Sequence, residues 1–347
     1  MAIRQSGPNI APKHLEGYAS LRDSAASVIL ERSLIGIEGK ETFDFLHRMS
    51  TNDLLTLADG QTRRTVIVNE KGRVIDFVTI VRTGERALLI GSPGAGNELA
   101  RWFGKFIIMD DLRITATHDR IPFYSIYGPG SPDLIRKICA EGGAGKFHDD
   151  RVLDAPGNRG WILREDLGSV PGYLYIPGED CTMENTAPMF RWSEEEIRTA
   201  DTLTFETVRI EESVPALGRE LGPEVNALEA GLKQYISFSK GCYIGQEVIA
   251  RLDTYRKLQK ILSLFLLPDY DGPSLSPGKL LQGDREAGRI TSTVYSPRQN
   301  GWIGLGYRRI EMKDPMLDFI PEGVGRSLPC RCLSGLPAGY EEYEVQE

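Results

Sequence analysis

The chain has 347 residues, 26% of them charged and 41% hydrophobic, with a formal net charge of -8. That balance is globular rather than disordered or fibrous, and the length suggests two or three domains. The negative charge weighs against an extended nucleic-acid surface, which needs a local excess of Lys and Arg, and leaves room for a small basic pocket. No apolar run approaches the roughly 20 residues of a membrane-spanning helix. The first six residues lack the apolar core of a signal peptide, so a cytoplasmic location and no membrane partner are expected.

Residues 1–20 are punctuated by Pro and Gly and read as an irregular arm. Residues 24–30 read as a strand. In 41–49, Phe43, Leu46 and His47 recur at helical spacing, and Asn52-Asp53 follows as a stop. Residues 65–69 and 73–81 read as two strands joined by Glu70-Lys71-Gly72, with Gly72 suited to the positive-φ position of the turn. A strand over 87–90, a helix over 94–106 with Leu99, Trp102, Phe103 and Phe106 on one face, and a strand over 112–117 complete a first unit.

A similar order recurs: strand 123–127, helix 132–140, strands near 161–164 and 173–176, then a helix over 193–200 with Ser193 and Glu196 as a capping box. This predicts an α+β fold with antiparallel sheets. From about Lys260 helix signals vanish, and short strands such as 283–292 and 301–307 predict a small β-barrel or sandwich. The expected organisation is an N-terminal arm over 1–23, α+β halves over 24–118 and 119–258, and a barrel over 259–347.

Five cysteines, at 139, 181, 242, 330 and 332, are odd in number and scattered, which is not a disulfide framework. Cys330 and Cys332 would share one strand face, but two ligands do not make a zinc site, so no metal is expected. Cys242 is different. It stands in Lys240-Gly241-Cys242-Tyr243-Ile244-Gly245-Gln246-Glu247, which leads into the helix-forming Val248-Ile249-Ala250-Arg251-Leu252. The flanking glycines point to a tight loop where backbone comes close to something. A cysteine just before a helix N-terminus is favoured as a thiolate, whereas a buried cysteine is an inert small hydrophobe. The residues alone leave both readings open.

The string from Lys240 to Glu247, followed by Ala250-Arg251, resembles the signature of the YgfZ-type folate-binding family, which is related to the aminomethyltransferase (T-protein) of the glycine cleavage system. Pro223 with Glu229-Ala230-Gly231-Leu232 is similar to a T-protein segment, with a longer gap after the proline. The stretches 288–292 and 303–307 resemble the family's C-terminal barrel, and 69–76 its N-terminal hairpin, so the likeness runs from about residue 25 to the end. The resemblance implies two ferredoxin-like α+β halves followed by the barrel, and tetrahydrofolate or a one-carbon derivative as cofactor.

It also implies roles residue by residue. Glu211, in Val208-Arg209-Ile210-Glu211, matches the carboxylate that holds the pterin; the plain alternative is a solvated helix-end carboxylate. Asp76 matches the first of a catalytic Asp pair whose second position is Phe77 here, a departure. Strand alternation puts Val74, Asp76 and Val78 on one face, and an edge-strand aspartate in solvent is the alternative. Lys240 matches a cation that meets folate. Arg251 would take a tail carboxylate or pair with Glu247 at i,i+4. Arg256-Lys257 and Lys260 form a small basic run, a solvated segment or an anion site. Family members are associated with assembly or maintenance of iron–sulfur proteins, with the motif cysteine required, so such client proteins are the expected partners. Alternatives are an aminomethyltransferase moving a one-carbon unit to tetrahydrofolate and a folate-binding module without turnover.

Overall fold

The computed structural model of the protein describes residues 12–141, 153–154, 160–177, 197–268, 270–312, 314–323 and 326–333. The fold is α+β, and the chain divides into two compact units. One gathers residues 12–67 and 76–205; the other gathers 68–75 and 206–347.

The first unit is built on α1 (Pro12–Asp23), β1 (Ala26–Glu38), α2 (Thr42–Met49), β2 (Thr62–Val68), β3 (Val74–Thr83), β4 (Arg86–Gly91), α3 (Gly96–Gly104), β5 (Arg113–Tyr127), α4 (Ser131–Glu141), β6 (Leu153–Asp154), β7 (Gly160–Arg164), β8 (Gly172–Pro177) and β9 (Arg198–Thr199). Among the described residues the strands form one sheet in the order β2-β3-β4-β1-β5-β8-β7-β6, with β9 on β1. Its spine is the long antiparallel pair β1–β5, which runs from Ala26 opposite Tyr127 to Glu38 opposite Arg113 with register shifts between Arg32 and Leu34 and between Gly36 and Ile37. Helix α2 buries the apolar stripe that periodicity foretells. Helix α3, shorter than expected, buries Leu99 and Phe103 of its stripe, leaves Trp102 partly exposed and ends before Phe106. The Phe45 and Phe103 rings meet edge-on at 6.0 Å.

Three local expectations are corrected here. Residues 12–23 of the supposed arm form α1, which starts at Pro12, a residue preorganised for the first helical position. Its buried face is His14, Gly17, Tyr18 and Leu21, a helical stripe hidden from an apolar count because two members are His and Gly. The strands expected over 112–117 and 123–127 are one fifteen-residue strand, β5. Pro122 looks like a break, yet it pairs opposite Glu31 beside an irregularity in β1 between Arg32 and Leu34, the kind of site that tolerates a missing donor. Finally, Arg198–Thr199 is a short strand parallel to β1, not the end of a helix; Ser193 and Glu196 lie outside the described residues.

The second unit holds most of α5 (Thr202–Glu211), a 3-10 turn at Lys233–Tyr235, α6 (Gln246–Thr254), and β10 (Lys260–Leu267), β11 (Gly278–Gln282), β12 (Arg285–Ser296), β13 (Gly301–Arg309), β14 (Met316–Pro321) and β15 (Leu328–Cys332). These six strands close a barrel in the order β10-β13-β12-β11-β14-β15. Inward-facing Phe265, Leu280, Ile290, Phe319 and Cys330 fill it with no exposure. Full closure leaves no unpaired strand edge. Among the described residues no helix is long and apolar enough to cross a membrane.

Candidate functional site

The turn between β2 and β3 is organised by one side chain. Asn69 Oδ1 accepts from the backbone N–H of both Lys71 and Arg73 at 3.0 Å, and the Gly72 N–H donates to Asn69 O at 2.8 Å. Gly72 takes φ +67°, the left-handed position expected of it. The strand leaving the turn is clamped by residues 224–229: Val74 N–H donates to Val225 O at 2.9 Å, and the Arg73 guanidinium reaches Glu224 O at 3.2 Å.

The cysteine loop rests on this turn. Gly245 caps α6 at φ +79°, and a Cβ there would lie 2.5 Å from Asn69 O and 3.1 Å from Gly72 Cα. A Cβ on Gly72 would in turn meet Ile249 and Val248 at 3.3–3.4 Å. So the close backbone approach foreseen for the glycines is made to the other motif, the 69–72 hairpin. Above that contact Cys242 is exposed, three residues ahead of the cap. The Lys240 ammonium sits 4.9 Å from the centre of the buried Tyr243 ring, whose phenol is held protonated far above its ordinary range by burial. Arg251 is exposed on α6. Lys240, Cys242 and Arg251 thus belong to one loop–helix element.

Glu211 is the last residue of α5 and accepts from the Ser296 hydroxyl of β12 at 2.5 Å. Glu212 follows it, within 4.0 Å of Arg298. Two carboxylates at a helix C-terminus oppose the macrodipole by about 0.3–1 kcal/mol each, which is a reason to look for use rather than stability. Sequence reasoning missed their neighbour. Arg209 is buried and donates to Glu206, Glu220, Val214 O and Ser292. Glu220, with no exposure, also accepts from Thr291 at 2.8 Å and Ser292 at 2.6 Å, so every oxygen is used. This ion pair fixes the chain after α5 on strand β12.

Asp76 belongs to the first unit. Val74, Asp76 and Val78 share a face, as alternation predicts, and all three are buried. The solvated edge-strand alternative therefore fails, and the carboxylate is not starved either. Its oxygens accept from the Ser92 N–H at 2.9 Å, the Ser92 hydroxyl at 2.6 Å and the Phe77 N–H at 2.8 Å. Burial outweighs these donors and the Arg32 charge, and pushes the Asp76 carboxyl up to about 6. Gly91 makes the space: a Cβ there would lie 2.5 Å from Asp76 Oδ2 and 2.7 Å from Ser33 Oγ.

Glu165, another residue that the sequence did not single out, accepts from Arg32 at 2.8 Å and from Thr79 at 2.9 Å. Its burial is outweighed by the Arg32 and Arg64 charges, which hold its carboxyl below the ordinary range. Phe77, the departure from the paired aspartates, has the Arg64 guanidinium 4.3 Å over its ring. The sequence signal for this cluster was the presence of Arg32 and Arg64 in strands β1 and β2 and of Glu165 just past the apolar strand β7.

The model of the GCVT N-terminal domain family matches residues 31–240. The chain belongs to that family. The match ends at Lys240, so the exposed thiol, α6 and the barrel lie beyond it. A chloroplastic protein of Arabidopsis thaliana named as a transferase is 29% identical over 290 residues, 79% of this chain and 62% of that one, so the chain spans less than two thirds of this relative. The aminomethyltransferase of Thermoanaerobacter pseudethanolicus is 25% identical over 86% of this chain and 81% of its own. The crystal structure of the glycine cleavage system aminomethyltransferase T from Bartonella henselae superposes with a TM-score of 0.77 at 16% identity, covering 92% of this chain and 88% of that one. The GCVT-family member thus has the T-protein fold and aminomethyltransferase homologues.

Proposed function

We propose that this GCVT-family member is a tetrahydrofolate-binding protein of YgfZ type, which acts through Cys242 in the assembly or maintenance of iron–sulfur client proteins. The observation that carries the reading is the exposed Cys242 on a loop seated by Gly245 against the 69–72 hairpin. A thiol retained for packing would be buried, as Cys139, Cys330 and Cys332 are.

Taken one by one, the side chains carried over by the resemblance have the chemistry that a reduced folate needs. Tetrahydrofolate, when bound, carries one-carbon units on its N5 and N10 nitrogens. Glu211, partly exposed at the end of α5, is the carboxylate for the pterin N–H edge. Lys240 and Arg251 are the cations for the carboxylates of the tail. Asp76, with a carboxyl near 6, is suited to hold or release a proton near neutrality. It has no exposure, so it meets a ligand only if its Ser92 contacts open.

Calorimetric titration with tetrahydrofolate tests the shared premise, and absence of binding would remove it. Glu211→Gln should weaken binding by about tenfold to a hundredfold, the loss of a charge-assisted bond. Cys242→Ser should bind folate normally and fail to restore iron–sulfur enzyme activity in a deficient host; full restoration would strip the cysteine of its role. A second reading, an aminomethyltransferase, is favoured by Asp76 and Glu211 and by the bacterial relatives. It alone predicts ammonia release from an aminomethylated lipoyl carrier.

A further inference from the structure

We propose that the surface around Cys242, formed by residues 233–245 and the C-terminal turn of α6, docks an acidic polypeptide segment of a partner protein. The inference rests on the reading that Cys242 acts on a partner protein, shares Lys240 and Arg251 with the folate-tail site proposed above, and concerns what the thiol is presented to. Residues 233–257, which run from the 3-10 turn to just past α6, carry five Lys and Arg against two carboxylates, in a chain whose formal charge is -8. The Lys233 ammonium reaches Asp253 at 2.8 Å and lies 5.8 Å from the Phe238 ring, so it ties the 3-10 turn, the cysteine loop and the end of α6 into one face.

Two rings stand out from that face. Phe238 is 44% exposed and Tyr255 64% exposed, with Lys257 5.9 Å from the Tyr255 ring. The helix dipole accounts for cations at the end of α6, but it does not account for exposed rings, which cost hydrophobic surface. Aromatic anchors among cations, with an exposed thiol on the loop that enters the same helix, are the composition of a protein-binding patch. Carboxylates are the complementary charge. A long polyphosphate is disfavoured because the rest of the chain is strongly negative and repels it beyond the patch.

The test uses the full chain with a fluorescein-labelled deca-glutamate peptide flanked by leucines, and single-stranded dT20 as the polyphosphate. Anisotropy reports binding, and the rate of Cys242 alkylation by iodoacetamide, mapped by mass spectrometry, reports where. The expected result is peptide binding that weakens with salt and slows Cys242 alkylation about fivefold or more. Lys257→Glu and, separately, Tyr255→Ser should each weaken binding about fivefold. Lys279→Glu, an exposed change on β11, should leave it unaltered. Equal loss with Lys279→Glu, binding without protection of Cys242, tighter binding of dT20, or no binding at all would each overturn the proposal. Unchanged far-ultraviolet circular dichroism of each variant excludes a folding defect as the cause.

Discussion

Cys242 and Asp76 are the two reactive groups that the sequence singles out, and the protein holds them in opposite ways. The thiol is exposed on a loop positioned by backbone meeting backbone, Gly245 against Asn69 and Gly72. The carboxylate is fully buried and positioned by side-chain and amide donors from Ser92 and Phe77. A group presented to a large partner must stay outside, and only its loop needs fixing. A buried carboxylate is tuned by its surroundings, at a cost that depends on pH.

The sharpest way to break the buried side of this comparison is Arg32→Ala. It removes the guanidinium that bonds Glu165 and leaves only the Arg64 charge near it, and a loss of about 3 kcal/mol is expected in urea unfolding. Next comes the pH dependence of Asp76. Its folded carboxyl, raised to about 6, lies above the unfolded range near 4. Its contribution is therefore fully present below pH 4 and is lost as pH rises through about 6, by about 2–3 kcal/mol. Asp76→Asn should remove that slope from the stability profile between pH 4 and 6.5. If the slope survives, another group causes it.

On the exposed side, Gly245→Ala should cost about 1–3 kcal/mol and change the alkylation rate of Cys242, because the new Cβ meets Asn69 O. Gly84→Ala is the control. It shares a positive φ of 63° but has open space around it, so about 1 kcal/mol and no effect on the thiol are expected. The smallest effect belongs to Cys242→Ser, within about 0.5 kcal/mol in thermal unfolding, as for an exposed side chain with no packing role.

Short-range patterns in the sequence determined much of this protein. Periodicity set α2 and α3, Gly72 marked the hairpin turn, and the loss of helix signals after Lys260 announced the barrel. The glycines around Cys242 foretold a close approach without saying to what. These features are local, since each is fixed by neighbours within a few residues.

Tertiary structure decided the rest. It joined 113–127 into one strand through Pro122 and made a helix of 12–23, whose stripe needs Gly17 to approach Ala200 within 3.3 Å of a Cβ. It also chose which charges go inside. Glu165 meets Arg32 across 133 residues, and Glu220 meets Ser292 across 72. A buried charge is tolerable only where partners wait, and partners drawn from distant segments are encoded in no local pattern of residues.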